Sequence, residues 1–184
     1  MQTYLLNNNE LNKQQTLLHK ETCHFSNSCT ALKKTKPMFD IFKRKSKELP
    51  PFNELENSEL KDKFFMRLLQ WDWIDRDTIH VIDNNAPRMI TMDPWPQLVY
   101  LGATGQQTIT EFVYEMAGKY GKSQTIPENL DLTVLDTIDR LLNENLVRLS
   151  NERKALPYYI NLPRSKQDKE KAEKLMIIDN YIKK

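Results

Sequence analysis

Apolar residues recur with helical spacing most clearly between Thr108 and Gly121. Thr108 precedes the run and Glu111 follows three residues later, which is the spacing of a capping box. In that motif each of the two side chains accepts a hydrogen bond from the other residue's backbone N–H. The pattern predicts a helix from residue 109 to 120, with one apolar face made of Ile109, Phe112, Val113, Met116, Ala117 and Tyr120.

A second amphipathic run predicts a helix over residues 128–142. Leu130, Val134, Ile138 and Leu141 lie on its apolar side, and Asn145 follows where a left-handed residue often ends a helix. A shorter helix is predicted from Pro94 to about residue 101, because proline is favoured in the first helical turn.

Alternating and β-branched runs predict four strands. Residues 78–82 and 89–92 are separated by a polar turn that contains Asn, Ala and Pro, and this arrangement predicts a hairpin. Residues 146–149 and 156–162 are also separated by a polar turn, and they predict a second hairpin.

Two further helices are predicted at the flanks. Leu60, Phe64, Leu68 and Trp71 fit one stripe of a helix over residues 58–71, and a charged helix begins near Ser165. The order of elements predicts an α+β fold: a winged helix-turn-helix with an N-terminal β-hairpin and flanking N- and C-terminal helices. The predicted divisions are a basic, unstructured segment (1–50), a flanking helix (51–77), a winged-helix domain (78–163) and a C-terminal helix (164–184).

Composition narrows the class of protein. The chain has 184 residues, and its uncharged apolar runs are only four residues long, whereas a membrane-spanning helix needs about 20. Two cysteines are too few for a disulfide-rich scaffold. We therefore expect a cytoplasmic protein without a membrane span. Met38 begins a short apolar patch followed by a basic cluster, and we interpret it as the natural start of translation.

The net charge of +2 conceals a segregation of charge. Residues 1–50 carry nine basic and four acidic residues, residues 51–150 carry nine basic and sixteen acidic ones, and residues 151–184 carry nine basic and five acidic ones. A nucleic-acid-binding domain usually concentrates positive charge on its folded surface. The acidic middle of this chain therefore disfavours nucleic acid as the partner.

Two motifs in the middle of the chain resemble those of a known family. The segment from Gly105 to Phe112 (GQQTITEF) is similar to the signature of the coenzyme PQQ synthesis protein D (PqqD) family, which has a glycine, two polar residues, Thr, an aliphatic residue and a Glu. Residues 131–147 are similar to the last helix of that family and its exit. The resemblance, which spans residues 78–149, implies a non-catalytic peptide-recognition element. Such a module presents a ribosomally made precursor peptide, by its leader segment, to a modifying enzyme, often a radical-SAM protein.

The expected site is a strand edge flanked by a helix. An exposed edge of the hairpin at 78–92 accepts an extended peptide as an additional strand, and the helix over 128–142 supplies side-chain contacts. Its acidic face favours peptides with Lys or Arg. The candidate peptide-binding residues are Ile79, Val81, Ile90, Met92, Asp136 and Asp139.

No catalytic, cofactor or metal site is expected. His19, Cys23, His24 and Cys29 form the one metal-like cluster, and their spacing matches no common zinc pattern. His80 has no nucleophile near it in sequence. Glu128, Asp131, Asp136 and Asp139 are interpreted as the solvated face of a helix. The alternative function is a winged-helix DNA-binding regulator, in which that acidic helix would lie in the major groove. Oligomeric state is left open by the sequence.

Overall fold

The computed structural model describes residues 49–83, 88–121 and 124–182. The predictions about the basic N-terminal segment, Met38 and the His/Cys cluster lie outside these residues. The elements, in chain order, are α1 (Asn53–Asn57), β1 (Phe64–Arg67), β2 (Gln70–Trp73), β3 (Ile79–Asp83), β4 (Arg88–Thr91), α2 (Pro94–Gly102), β5 (Thr104–Thr108), α3 (Ile109–Lys119), α4 (Leu130–Asn143), β6 (Val147–Ser150), α5 (Tyr158–Asn161), a 3-10 turn (Arg164–Lys166) and α6 (Lys169–Ile178).

Strands β1, β5 and β6 form the first of two antiparallel sheets, in the order β5-β1-β6. β1 is central because its register places Phe64 opposite both Thr108 of β5 and Ser150 of β6. Phe65 lies on the face that packs against the helices, and its ring meets that of Phe112 edge-on at a centroid distance of 5.2 Å. Such edge-to-face pairs are a favoured aromatic geometry.

The second sheet has the order β2-β3-β4 and is also antiparallel. Trp71, Val81 and Ile90 are aligned across the three strands and share one face. Gln97 of α2 fixes the start of β3, since its amide oxygen accepts from the Ile79 N–H at 2.8 Å and its amide nitrogen donates to the Asp77 carbonyl at 2.7 Å. The predicted hairpin of residues 78–92 is confirmed in β3 and β4.

The helices α3 and α4 are confirmed, and α3 has the predicted capping box. Thr108 Oγ1 accepts from the Glu111 N–H at 3.2 Å, and Glu111 Oε2 accepts from the Thr108 N–H at 2.8 Å. The predicted apolar face of α3 is buried. Asn145, just after α4, has the expected left-handed conformation, with φ of 56°.

Two predicted elements are wrong. Residues 58–71 do not form a helix: a turn leads into β1 and then β2, because Phe64, Phe65 and Met66 supply a buried central strand. Residues 156–162 do not form a strand, and contain α5 instead. As a result β6 pairs with β1, rather than with a second strand of a terminal hairpin.

One of the four acidic residues assigned to the solvated face of α4 is also placed differently. Asp131 is only 1% exposed. Its Oδ2 accepts from the backbone N–H groups of Glu54 at 3.0 Å and Leu55 at 3.1 Å, so it caps α1 from a distant point in the chain. Glu128, Asp136 and Asp139 are exposed, as predicted.

Arg67 joins the C-terminal segment to the first sheet. Its guanidinium is buried and donates to the carbonyls of Leu101, Ile160 and Asn161 at 2.8–3.2 Å. Burial lowers its pKa below the ordinary arginine value, to about 10, so the group stays charged at neutral pH. Three carbonyls thus solvate a buried cation, and α5 is held against the sheet. The fold is α+β, and none of the described helices is long and apolar enough to cross a membrane.

Candidate functional site

The two edges of the second sheet, β2 and β4, differ in what lies against them. Residues 158–167, here called the covering segment, are hydrogen-bonded to β2. Trp71 Nε1 donates to the Ile160 carbonyl at 3.1 Å, and the Ser165 N–H and hydroxyl donate to the Asp72 carboxylate at 2.9 and 2.7 Å. Trp71 and Asp72 lie on opposite faces of the sheet, so a segment that meets both lies along the edge of β2.

The other edge of the second sheet is β4. Within the described part of the chain, β4 pairs with β3 and with no other strand. Its residues are mostly exposed, and Met89 reaches 67%. Arg88 forms an ion pair with Asp83 on β3, with Nε and Oδ2 3.2 Å apart. The outer backbone groups of β4 are therefore available to a further strand.

A groove runs between the C-terminal end of β4 and the second half of α4. It has a volume of about 130 Å³. Residues from β4, the start of α2 and α4 line it: Ile90, Thr91, Met92, Asp93, Pro96, Thr137, Arg140, Leu141, Glu144 and Leu146. A strand added to β4 would place alternate side chains toward this groove, because side chains alternate between the two faces of a sheet.

The predicted site residues divide into three groups. Ile90 and Met92 line the groove. Ile79 and Val81 are fully buried on β3, which is the central strand and offers no free edge, so the edge predicted at these two residues is wrong. Asp136 and Asp139 do not line the groove.

The position of Asp139 follows from helix geometry. It lies two residues after Thr137, which does line the groove, and two residues correspond to a rotation of roughly 200° about a helix axis. Asp139 therefore projects from nearly the opposite side of α4. An acidic residue count along the helix could not show this, because it ignores which side faces β4.

The groove residues at the C-terminal half of α4 and its C-cap were not among the predicted site residues. Thr137, Leu141 and Glu144 are spaced four and three residues apart, which places them on one helical stripe. Arg140 lies beside Glu144 on the same side. This stripe contains both polar and apolar residues. Polar residues beside the buried face of a helix often mark a partly open surface, and this is the signal from which the stripe could have been predicted.

The described residues hold no group of three or more His, Cys, Asp or Glu side chains that could bind a metal ion. Ser165, Asp72 and His80 supply the residue types of a hydrolytic triad, and Asp72 is paired with His80 across β2 and β3. The Ser165 hydroxyl donates to Asp72, however, and the buried Nδ1 of His80 has no hydrogen-bond partner among the described residues. Nucleophilic catalysis of the serine-hydrolase type needs the serine bonded to the histidine, so this arrangement does not fit it.

Comparisons of the chain with protein-family models, with curated proteins and with solved structures find no match. The geometry of the β4 edge and its groove therefore carries the functional argument.

Proposed function

We propose that this chain is a non-catalytic, PqqD-like peptide-binding protein whose β4 edge accepts an extended peptide as a fourth strand of the second sheet. The supporting observation is the combination of a free edge with a groove bounded by α4. Strand addition supplies affinity through main-chain hydrogen bonds, while side-chain pockets at alternate positions supply specificity. Both parts occur side by side at β4.

The order of elements also supports a winged helix-turn-helix arrangement. Helices α2, α3 and α4 follow one another, with β5 before α3 and β6 after α4. In this arrangement β1 takes the place of the second wing strand beside β6.

The signature glycine of the resemblance has a physical role in this fold. Gly105 has φ of +72°, and a Cβ built on it would lie 2.3 Å from the Lys154 carbonyl oxygen. The backbones of these two residues are also hydrogen-bonded, since the Lys154 N–H donates to the Gly105 carbonyl at 3.0 Å. A residue with a side chain does not fit there, which gives the shared glycine a structural reason.

The proposed partners are a ribosomal precursor peptide and the enzyme that modifies it. The enzyme, of radical-SAM or another class, enters only through the resemblance. The DNA-binding alternative has less support, because the exposed charges of α4 and its C-cap residue are Asp136, Asp139 and Glu144 against the single Arg140. Such a helix would be repelled by phosphates in the major groove.

The proposal can be tested with a pooled library of acetylated, fluorescein-labelled decapeptides and fluorescence polarisation. The best binder is then resynthesised with a single N-methyl group at each backbone position in turn. We expect saturable binding that is lost at alternate positions, because an added strand directs every second N–H toward β4. An equal response at all positions, or no saturable binding in any pool, would contradict strand addition.

A matched pair of variants tests the protein side. Met89→Pro and Ile90→Pro each remove one N–H from β4, and neighbouring residues point these groups to opposite sides. One variant should lose stability because it breaks the ladder to β3. The other should keep the wild-type melting temperature and lose peptide binding. If both proline variants fold and both bind peptide as tightly as wild type does, the assignment of the peptide site to β4 is overturned.

A further inference from the structure

Three charged side chains line the groove without a partner. Asp93, Arg140 and Glu144 make no ion pair and no side-chain hydrogen bond with other described residues. Asp93 stands at the N-cap position of α2, yet its carboxylate does not accept from the helix. Charged groups beside an apolar cavity that serve no internal contact are available to a ligand.

The two carboxylates are not equivalent. Arg140 precedes Glu144 by four residues on α4, so their side chains are neighbours on the helix surface and the guanidinium partly offsets the Glu144 charge. Asp93 belongs to a different element and has no such neighbour on its own helix, where the next residues are Pro94, Trp95 and Pro96. Asp93 is therefore the stronger selector of charge, and it selects a cation.

The apolar part of the groove limits the size of the side chain that enters. The groove is open to solvent on one side, and its volume of about 130 Å³ is comparable with the roughly 150 Å³ of an enclosed cavity that holds benzene. Ile90, Met92 and Leu141 provide apolar walls, and Pro96 and Leu146 extend them. A branched aliphatic side chain fits this space better than an aromatic ring.

The groove also fixes which half of the peptide is recognised. Every strand pair of the second sheet is antiparallel, so a fourth strand that continues the pattern runs antiparallel to β4. The groove borders the C-terminal end of β4, at Ile90 and Thr91, and the two residues that follow it. The N-terminal part of the peptide therefore lies over the groove, and its C-terminal part lies toward Arg88.

We infer that the groove selects peptides with a Val, Leu or Ile anchor and a Lys or Arg two residues nearer the peptide's N-terminus. Alternate residues of a strand face the same side and are about 7 Å apart. β4 ends at Thr91, and Asp93, beyond that end, lines the same groove as Ile90 and Met92. An anchor that faces Ile90 and Met92 thus places the preceding same-side residue of the peptide beyond the end of β4, nearest to Asp93. This inference rests on the proposed function and adds the sequence and direction of the peptide.

The experiment uses two synthetic decapeptide series on the full chain. In the first, the anchor is varied among Ala, Val, Leu, Ile and Phe. Removal of even one methylene from a filled apolar pocket costs roughly tenfold or more, so Ala should bind at least about tenfold more weakly than Leu. Phe should also bind more weakly than Leu, because part of its ring would extend from the groove into solvent and bury less apolar surface against the walls.

The second series places Lys, Gln or Glu two residues before the anchor and tests wild type, Asp93→Asn and Asp93→Lys. An exposed ion pair contributes about two- to fivefold in affinity. Wild type should prefer Lys over Glu by about that factor, Asp93→Asn should lose the preference, and Asp93→Lys should reverse it. Glu144→Lys should shift the preference less, and Asp136→Lys, which changes a charge outside the groove, should leave it unchanged. In each case the melting temperature controls for folding.

The outcomes separate this inference from the function on which it rests. Absence of saturable binding in every series overturns both. Binding that is sensitive to backbone N-methylation but indifferent to the anchor and to Asp93 leaves strand addition standing and overturns the inference. A charge preference that follows Asp136 rather than Asp93, or that lies after the anchor, overturns the assigned direction.

Discussion

Replacing Asp131 by alanine should destabilise the protein strongly, although the residue carries a charge on an amphipathic helix. The carboxylate is almost fully buried and accepts two backbone hydrogen bonds from α1 at 3.0 and 3.1 Å. Removing it leaves the N–H groups of Glu54 and Leu55 without this acceptor, and the N–H of Leu55 is buried where water does not readily replace it. Hydrogen bonds to a charged group contribute about 1.5–3 kcal/mol, and a buried group left unpaired costs about 1–3 kcal/mol.

These magnitudes give an expected loss of roughly 2–4 kcal/mol in the free energy of unfolding. Asp131→Asn should cost less, about 1 kcal/mol, because the amide oxygen retains two acceptor sites but loses the charge. Asp136→Ala is the matched control, since it removes a carboxylate from an exposed position of the same helix. That change should stay within about 0.5 kcal/mol.

The measurement is urea denaturation monitored by tryptophan fluorescence and far-UV circular dichroism. With a slope of roughly 2 kcal/mol per molar, the Asp131→Ala midpoint should fall by about 1–2 M. An Asp131→Ala midpoint within error of the Asp136→Ala value would refute the reasoning. It would mean that α1 does not depend on the cap, or that α1 contributes nothing to global stability.

Two further predictions concern a glycine pair and a buried tyrosine. Gly105→Ala should lower the free energy of unfolding by roughly 2–4 kcal/mol, because it adds left-handed backbone strain to a close approach to Lys154. Gly118→Ala, in open space on α3, should raise it by about 0.5–1 kcal/mol. Equal effects of the two substitutions in thermal melts would contradict this. Burial raises the pKa of Tyr100, whose hydroxyl donates to the Leu69 carbonyl at 2.7 Å, above its ordinary 10.0. Its neutral form stabilises the fold below pH 10, so stability should fall as pH rises above 10. The lowered pKa of Arg67 makes stability rise with pH over the same range. The difference in free energy of unfolding between wild type and Tyr100→Phe, measured across pH 9–11, therefore isolates the contribution of the tyrosine. Parallel stability curves would be inconsistent with that origin.

Elements defined by local signals could be predicted from the sequence. The capping box and apolar face of α3, the helix α4 and the β3-β4 hairpin all depend on residues within a few positions of one another. The helix predicted over 58–71 shows where this fails. Its four apolar residues have helical spacing. Phe64, Phe65 and Met66 nevertheless form a strand, because they pair with residues 104–108 and 147–150, and local spacing cannot reveal such distant partners.

The same error decided the candidate site. With residues 58–71 predicted as a helix, β3 has only one predicted partner and therefore a free edge. Once Gln70–Trp73 forms β2, the edge moves to β4, while Ile90 and Met92 keep their place beside α4. α5 was missed for a related reason. Tyr158, Tyr159 and Ile160 have high strand propensity, yet their segment is held by Arg67 and Trp71, about 90 residues away in sequence.

The covering segment along β2 has a consequence for how molecules of this protein can associate. With β2 covered, β4 is the one edge of the second sheet, as far as the structure describes the chain, that can accept a further strand. Two copies that join edge to edge through β4 would therefore form a pair and no longer array. Loss of residues 158–182 would expose β2 as well, and each molecule would then have a donor edge at both ends of that sheet. Fibre-like polymerisation, detected by thioflavin fluorescence and light scattering, should follow from that truncation, and a peptide bound at β4 would act as a chain terminator.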